Sequence, residues 1–255
     1  MNRIELFGCP MDTATMAETV DLIRCRIARG QFTQHVVVNV AKLVNMQTDA
    51  ALAASVHACD IVNIDGMGVV WGARLLGHPV PERVAGIDLF DRLLDMAQSD
   101  GLPVFMLGGT DAVANAAASA VRARVPRLRI AGVHHGYFWD DERAVVDMIR
   151  SSGAKLLFVA ITSPRKENFI DRWNNELGVD FVMGVGGTFD VIAGKVRRAP
   201  RWMQRTGLEW LFRVLQEPRR MWKRYWVTNR RFAWMLLRAR VGMWRHRARL
   251  GNTRR

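Results

Sequence analysis

Nowhere among the 255 residues do about 18 apolar residues run together, so no membrane-spanning helix is expected. The first residues, MNRIELFGCPMD, lack the basic segment and apolar run of a signal peptide, and export by that route is not expected either. Cysteine is scarce: Cys9, Cys25 and Cys59 are an odd number, lie far apart and show no CxxC or histidine-rich spacing. Neither a disulfide framework nor a zinc site follows, and reduced, buried thiols are expected. No GxGxxG and no Walker loop occurs, which weakens a dinucleotide or P-loop reading. Acidic residues are missing in one place only: from 195 to 255 there are two, Glu209 and Glu217, against 19 Lys plus Arg.

That last absence gives the net charge of +13 its meaning. The final 61 residues carry +17 and the preceding 194 carry 18 basic against 22 acidic residues, or −4. Six of the nine tryptophans, Trp202, Trp210, Trp222, Trp226, Trp234 and Trp244, share the basic segment. The break falls around the turn-like GKVRRAP and divides the chain into a body, 1–196, and a helical appendage, 197–255. With 49% hydrophobic residues the body can bury a sizeable core.

Within the body, HVVVNV (35–40), DIVNI (60–64), PVFML (103–107), LRIAGV (128–133), KLLFVAI (155–161) and DFVMGV (180–185) read as strands buried on both faces. Helical patterns lie between them, at about 13–29, 41–56, 67–77, 87–99, 111–124, 141–152 and 165–177. The expected fold is α/β: a Rossmann-like, doubly wound, mostly parallel sheet. Ligands in such sheets bind beyond the carboxyl ends of the strands, which directs attention to Asn39, Asp65 and the loops LGGTD, HHGYF, ITSPRKEN and GVGGTFD. Glycines there admit a close backbone approach, and helix N-termini favour phosphate oxygens.

Each candidate also has a structural reading. Asp65 and Asp111 stand where a helix N-cap would be. Arg83 could pair with Glu82 or Asp88 or hold an anion. His134 and His135, adjacent at a strand end, should face opposite ways, so that one at most enters a site. Tyr137 could pack in the core or stack on a base, and Lys166 and Glu167 could be a solvated helix face.

NIDGMGVVWGARLLG, RVAGIDLF, VFMLGGTDAVA, HHGYF, SPRKENF and GVGGTFDVIAGKVRRAPRWMQRTGLEWLFRVLQEPRRMWKRY resemble, in this order and spacing, the WecG/TagA/CpsF family of bacterial glycosyltransferases over about residues 4–236. The resemblance implies transfer from a UDP-sugar to a hydroxyl of a polyprenyl-diphosphate-linked sugar at the cytoplasmic membrane face, with inversion, without a metal and without another cofactor. It maps the acceptor-activating base onto Asp65, a diphosphate-holding guanidinium onto Arg83, and further substrate contacts onto Asn39, Lys166 and Glu167. It maps the UDP pocket onto Gly108, Gly109, Asp111, Tyr137, Gly186, Gly187 and Asp190, with Tyr137 on uracil and Asp190 accepting from the nucleoside. Two positions depart from the pattern. Val37 stands where many members have Thr, and Lys166 where many have Gln; the added charge suits an acidic donor sugar or the leaving diphosphate.

In the appendage, Leu208, Leu211, Phe212 and Leu215 form one apolar helix face, and Pro218 suits the first turn of the next helix. From there Trp222, Tyr225, Trp226, Phe232, Ala233, Leu236 and Leu237 recur at about helical spacing among arginines. Basic residues interleaved with Trp describe a helix lying at an anionic membrane surface. Arg201, Arg213, Arg220 and Arg224 are the cations expected to meet that surface or the acceptor diphosphate. An apolar tail away from a membrane would also self-associate, giving a homo-oligomer. Taken alone the same tail suits nucleic acid, making a nucleotide-binding protein with an RNA-gripping tail the main alternative. An NAD-type oxidoreductase fits the sheet but lacks the glycine fingerprint. The resemblance selects the membrane and no nucleic acid.

Overall fold

The computed structural model describes residues 2–252, except the side chains of Arg220 and of 245–252. The side chain of Arg220, one of the expected tail cations, therefore lies outside the described residues. The chain opens with a hairpin that its composition does not announce, β1 (Asn2–Leu6) and β2 (Cys9–Thr13), joined through Phe7 and Gly8, both at positive φ. The strands that follow are β3 (Thr33–Val38), β4 (Ile61–Ile64), β5 (Val104–Gly108), β6 (Ile130–His134), β7 (Leu156–Ala160) and β8 (Phe181–Gly184). All eight form one sheet in the order β1-β2-β4-β3-β8-β7-β5-β6, and only β1 runs antiparallel to its neighbour. The expected Rossmann-like, mostly parallel α/β sheet is what the chain forms.

Both faces of the central strands are covered. Met106, Phe158 and Met183 point into one cluster with α1 (Met16–Ala28), α5 (Gly86–Ser99) and α6 (Asp111–Arg124). Phe105, Val159 and Val182 point the other way, under α7 (Glu142–Ser151) and α8 (Arg165–Trp173). Val36, Val38, Val62 and Ile64 meet α2 (Val40–Asn45), α3 (Ala50–His57) and α4 (Met67–Leu75). The pattern read as one helix over 41–56 is thus two, because Asp49 accepts from the Leu52 amide and starts a second helix. A short α9 (Thr188–Ile192) follows β8.

The segment after α9 is tied down. Arg198 makes two hydrogen bonds to Asp88, at 2.6 and 2.7 Å, Ala199 is buried, and the Gln216 side chain brackets the Arg197 backbone. Then come α10 (Arg201–Arg205), α11 (Glu209–Gln216) and α12 (Pro218–Asn252), the last starting at the expected proline. The apolar face foreseen over 208–215 is not buried; Leu215 is 69% exposed. On α12, Phe232 is buried in the same cluster as β3, β4 and α4, with Met235 and Leu236 against it. None of the described helices is long and apolar enough to cross a membrane. Cys9 and Cys59 are buried and unpaired as expected, but Cys25 is exposed.

Candidate active site

β3 and β4 run side by side, with Val38 opposite Ile64, and their ends carry Asn39 and Asp65. Asn39 ends its strand and caps α2, its Oδ1 accepting from the Lys42 amide at 3.0 Å. Gly66 lies directly against it: a Cβ there would sit 3.3 Å from Asn39 Cβ. After α4 the chain returns, and the Val84 amide donates to the Ile64 carbonyl at 2.9 Å. This bond brings Arg83 and the start of α5 to the end of β4. Val37 packs on Gly86 from below.

Asp65 does not cap α4. Gly66 occupies the cap position without any side-chain bond, and Asp65 Oδ1 accepts instead from the Gly86 amide at 3.3 Å. Burial pushes the Asp65 carboxyl above its usual range and the Glu209 charge adds to this, while Arg83, Arg213 and the Gly86 amide pull the other way. A carboxylate whose protonation is favoured, at a strand end, is suited to take up a proton.

Arg83 is paired neither with Glu82 nor with Asp88. Its Nη1 meets Glu209 Oε2 at 3.1 Å, while Glu82 receives the Met16 amide and Asp88 is held by Arg198. Tail residues therefore reach the Asp65 region: Glu209 through Arg83, the Arg213 charge from α11, and from α12 the partly buried Tyr225, whose ring lies 5.7 Å from that of Trp210. Burial raises the Tyr225 hydroxyl, and the charges of Arg213, Arg224, Glu209 and Asp65 all reach it. Arg224 also acts on Lys166. Arg201 stands exposed on α10, and no bond joins it to Asp65.

Lys166 and Glu167 are not a solvated face. Both are buried, and Glu167 Oε1 receives Lys166 Nζ at 2.6 Å and Lys42 Nζ at 2.7 Å. The two ammonium groups hold the Glu167 carboxyl well below the usual range against its burial, and burial with Lys42 nearby brings Lys166 down to about 8. Glu167 Oε2 makes no hydrogen bond among the described residues. The Lys166 stem lies across Gly184 at the end of β8, where a Cβ would stand 2.5 Å from Cε. Sequence reasoning missed Lys42, Glu209 and Tyr225. Of these, only Glu209 had a signal, its place in the GLEW block.

The glycine-bearing loops meet farther along the strand ends. The Gly109 amide donates to Ala160 O at 3.1 Å and the Gly136 amide to Gly109 O at 2.8 Å, so the ends of β5 and β7 and the loop after β6 form one floor. Gly108 has φ +132°, and a Cβ would strike the Ala160 carbonyl, so only glycine fits. Thr110, not Asp111, caps α6; Asp111 follows it, exposed. Tyr137 is 70% exposed, which excludes a core role. His134 and His135 do not diverge: β6 ends between them and their rings lie 4.3 Å apart. Gly186 and Gly187 face open space before α9, and Asp190 pairs with Lys195 at 3.4 Å.

The chain is 38% identical over 171 residues to an N-acetylglucosaminyldiphosphoundecaprenol N-acetyl-beta-D-mannosaminyltransferase of Bacillus spizizenii, covering 67% of this chain and 66% of that protein, just under two thirds. It is 32% identical over 225 residues to a Staphylococcus aureus protein of the same name, covering 87% and 86%. The profile of the glycosyl transferase WecG/TagA/CpsF family matches residues 4–246. The chain belongs to the WecG/TagA/CpsF family of glycosyl transferases.

Proposed function

We propose that this glycosyltransferase moves a sugar from a UDP-sugar to a hydroxyl of a polyprenyl-diphosphate-linked sugar, with inversion and without a metal, in the synthesis of a bacterial surface polysaccharide. The observation that carries the reading is Asp65, a partly buried carboxyl at a strand end with a raised pKa, within reach of Arg83 and, from the tail, of Glu209 and Arg213. The acceptor oxygen attacks the anomeric carbon, the bond from that carbon to the diphosphate breaks on the opposite side, and the acceptor proton passes to Asp65. UDP leaves with the electron pair. Its growing charge falls to Arg83, which spends one Nη on Glu209 and keeps donors for a diphosphate, and to Arg213, Arg224 and Lys166. Asn39 completes the acceptor side, and Glu167, buried against Lys42 and Lys166, would act on the substrates only through the lysines it holds in place. For the nucleotide, Gly108, Gly109, Gly186 and Gly187 leave room for the backbone to approach, the start of α6 near Asp111 suits phosphate oxygens, and exposed Tyr137 is free to stack on uracil beside Asp190.

The enzyme would work from the cytoplasmic side as a peripheral membrane protein, its tail on anionic lipid and with some tendency to form homo-oligomers. The body, 1–196, would carry the chemistry and the appendage, 197–255, the attachment and the contacts near Asp65. The first pair to test is UDP-N-acetylmannosamine with N-acetylglucosaminyl-diphosphoundecaprenol, the sugar and acceptor in the relatives' names. Transfer is expected, with a β-linked product from the α-linked donor by NMR and an unchanged rate in excess EDTA. Retention of configuration, or a rate abolished by EDTA and restored by a divalent cation, would overturn the mechanism.

A further inference from the structure

α12 is apolar on two opposite sides. One side faces the body through Tyr225, Thr228, Phe232 and Leu236. The other faces outward through Trp222, Trp226, Trp234, Leu237, Val241 and Trp244, which are between 38 and 72% exposed. The body adds to this outward surface. On α4, Trp71 and Leu75, about one turn apart, are 50 and 49% exposed. Gly72, between them, is where α12 seats: a Cβ there would lie 2.7 Å from the Phe232 ring and 3.1 Å from Leu236. Three residues on, Arg240 Nη1 donates to the Leu75 carbonyl at 3.0 Å. The two contacts advance in the same direction along both helices, so the outward residues of α4 flank the seam with α12.

We propose that α4 is part of the membrane-docking surface: Trp71 and Leu75 enter the interface of an anionic bilayer together with the outward stripe of α12. The occupant follows from charge. α12 carries eleven Lys plus Arg and no Asp or Glu, so a second copy laid on the same face would set arginine against arginine, whereas anionic headgroups complement it. Partly exposed tryptophans beside arginines are the chemistry of the interfacial zone. α4 begins at Met67, two residues after Asp65, and a helix lying along a surface holds its first turn at the depth of its last. Docking through α4 therefore brings the candidate base to the headgroup level, where a lipid-linked diphosphate emerges.

The inference rests on the proposed lipid-linked acceptor for its purpose, and its test is separable from that reading. The full chain and its Trp71→Ser/Leu75→Ser variant are cosedimented with phosphatidylglycerol–phosphatidylcholine vesicles. We expect about tenfold weaker partition for the variant, near-normal partition for Trp71→Phe/Leu75→Phe, and protection of Trp71 in the unmutated protein from hydroxyl-radical oxidation when vesicles are added; this last readout needs no variant to fold. Transfer to a vesicle-held acceptor should fall with partition; because the Trp71 ring also lies against Gly207, two residues before Glu209, the control is Leu75→Ser alone, for which transfer to a water-soluble short-chain acceptor stays unchanged. Unprotected Trp71 with unaltered partition overturns the proposal. So does unaltered partition with lost self-association in sedimentation velocity, which would give the face to a second copy. If the unmutated protein transfers to neither acceptor, the functional reading fails and vesicle partition still decides this one.

Discussion

Asp65, partly buried, and Glu167, fully buried, are carboxylates near the strand ends, and their surroundings push them in opposite directions. Asp65 has one amide donor, and Arg83 and Arg213 act on it without an ion-pair contact while Glu209 opposes them, so burial dominates and its proton affinity rises. Glu167 has two ammonium groups on one oxygen, and their attraction outweighs an even drier setting. Burial by itself thus decides nothing about a carboxylate's charge; cations in direct contact with it do. On the proposed mechanism Asp65 exchanges the proton, whereas Glu167 remains ionised as the centre of a fixed charge cluster.

The largest expected break in this contrast is Asp65→Asn, which should lower transfer about 10²–10⁴-fold in a radiolabelled-sugar assay while UDP affinity by calorimetry stays within about twofold. The same variant should gain stability with pH. The folded pKa of Asp65 is raised, so the stability its protonated form contributes at low pH is lost as pH rises through the folded value, and Asn suffers no such loss. The melting temperature of the variant relative to the unmutated protein should therefore climb from pH 4 to pH 8; a flat difference would contradict the raised pKa. Next is Glu167→Gln, which leaves Lys42 and Lys166 facing each other without a counter-charge and should cost about 3–5 kcal/mol in urea unfolding. A loss under about 1 kcal/mol would mean that the cluster is solvated, as for exposed pairs. Smallest is Glu209→Gln. It removes a charge that raises Asp65 and frees Arg83 to lower it, so the acid limb of the pH–rate profile should move down by less than about one unit. An upward move would show that Glu209 acts on some other group.

The sheet was legible because strands covered on both faces read as unbroken apolar runs, as in LLFVA and FVMG. The β1–β2 hairpin was not: NRIEL is the edge strand, where charges are tolerated, and CPMDT beside it meets β4 at Asp12 alone, so Pro10 has no β4 partner to lose. Asp65 was identifiable as a candidate, but its partner was not: only the return of the chain beside β4 brings Gly86 to it, 21 residues away. Lys42 had no signal in AKLVN, because its burial arises when the sheet sets α2 near α8. Helical spacing likewise merged the two stripes of α12, counting Phe232 and Leu236 with Trp222 and Trp226, although the first pair is seated on Gly72 and the second faces outward.

This double seating of α12 bears on how the protein is handled at the bench. Shortening the chain after Gln216 to improve its behaviour in solution would remove Tyr225, which the Asp65 charge reaches, and uncover α4 at Gly72, in the same cut that removes the outward tryptophans. An inactive shortened enzyme would then report the loss of these contacts with the body as readily as the loss of the proposed membrane attachment, whereas point changes confined to Trp222, Trp226 or Trp234 keep the contacts and test the attachment alone.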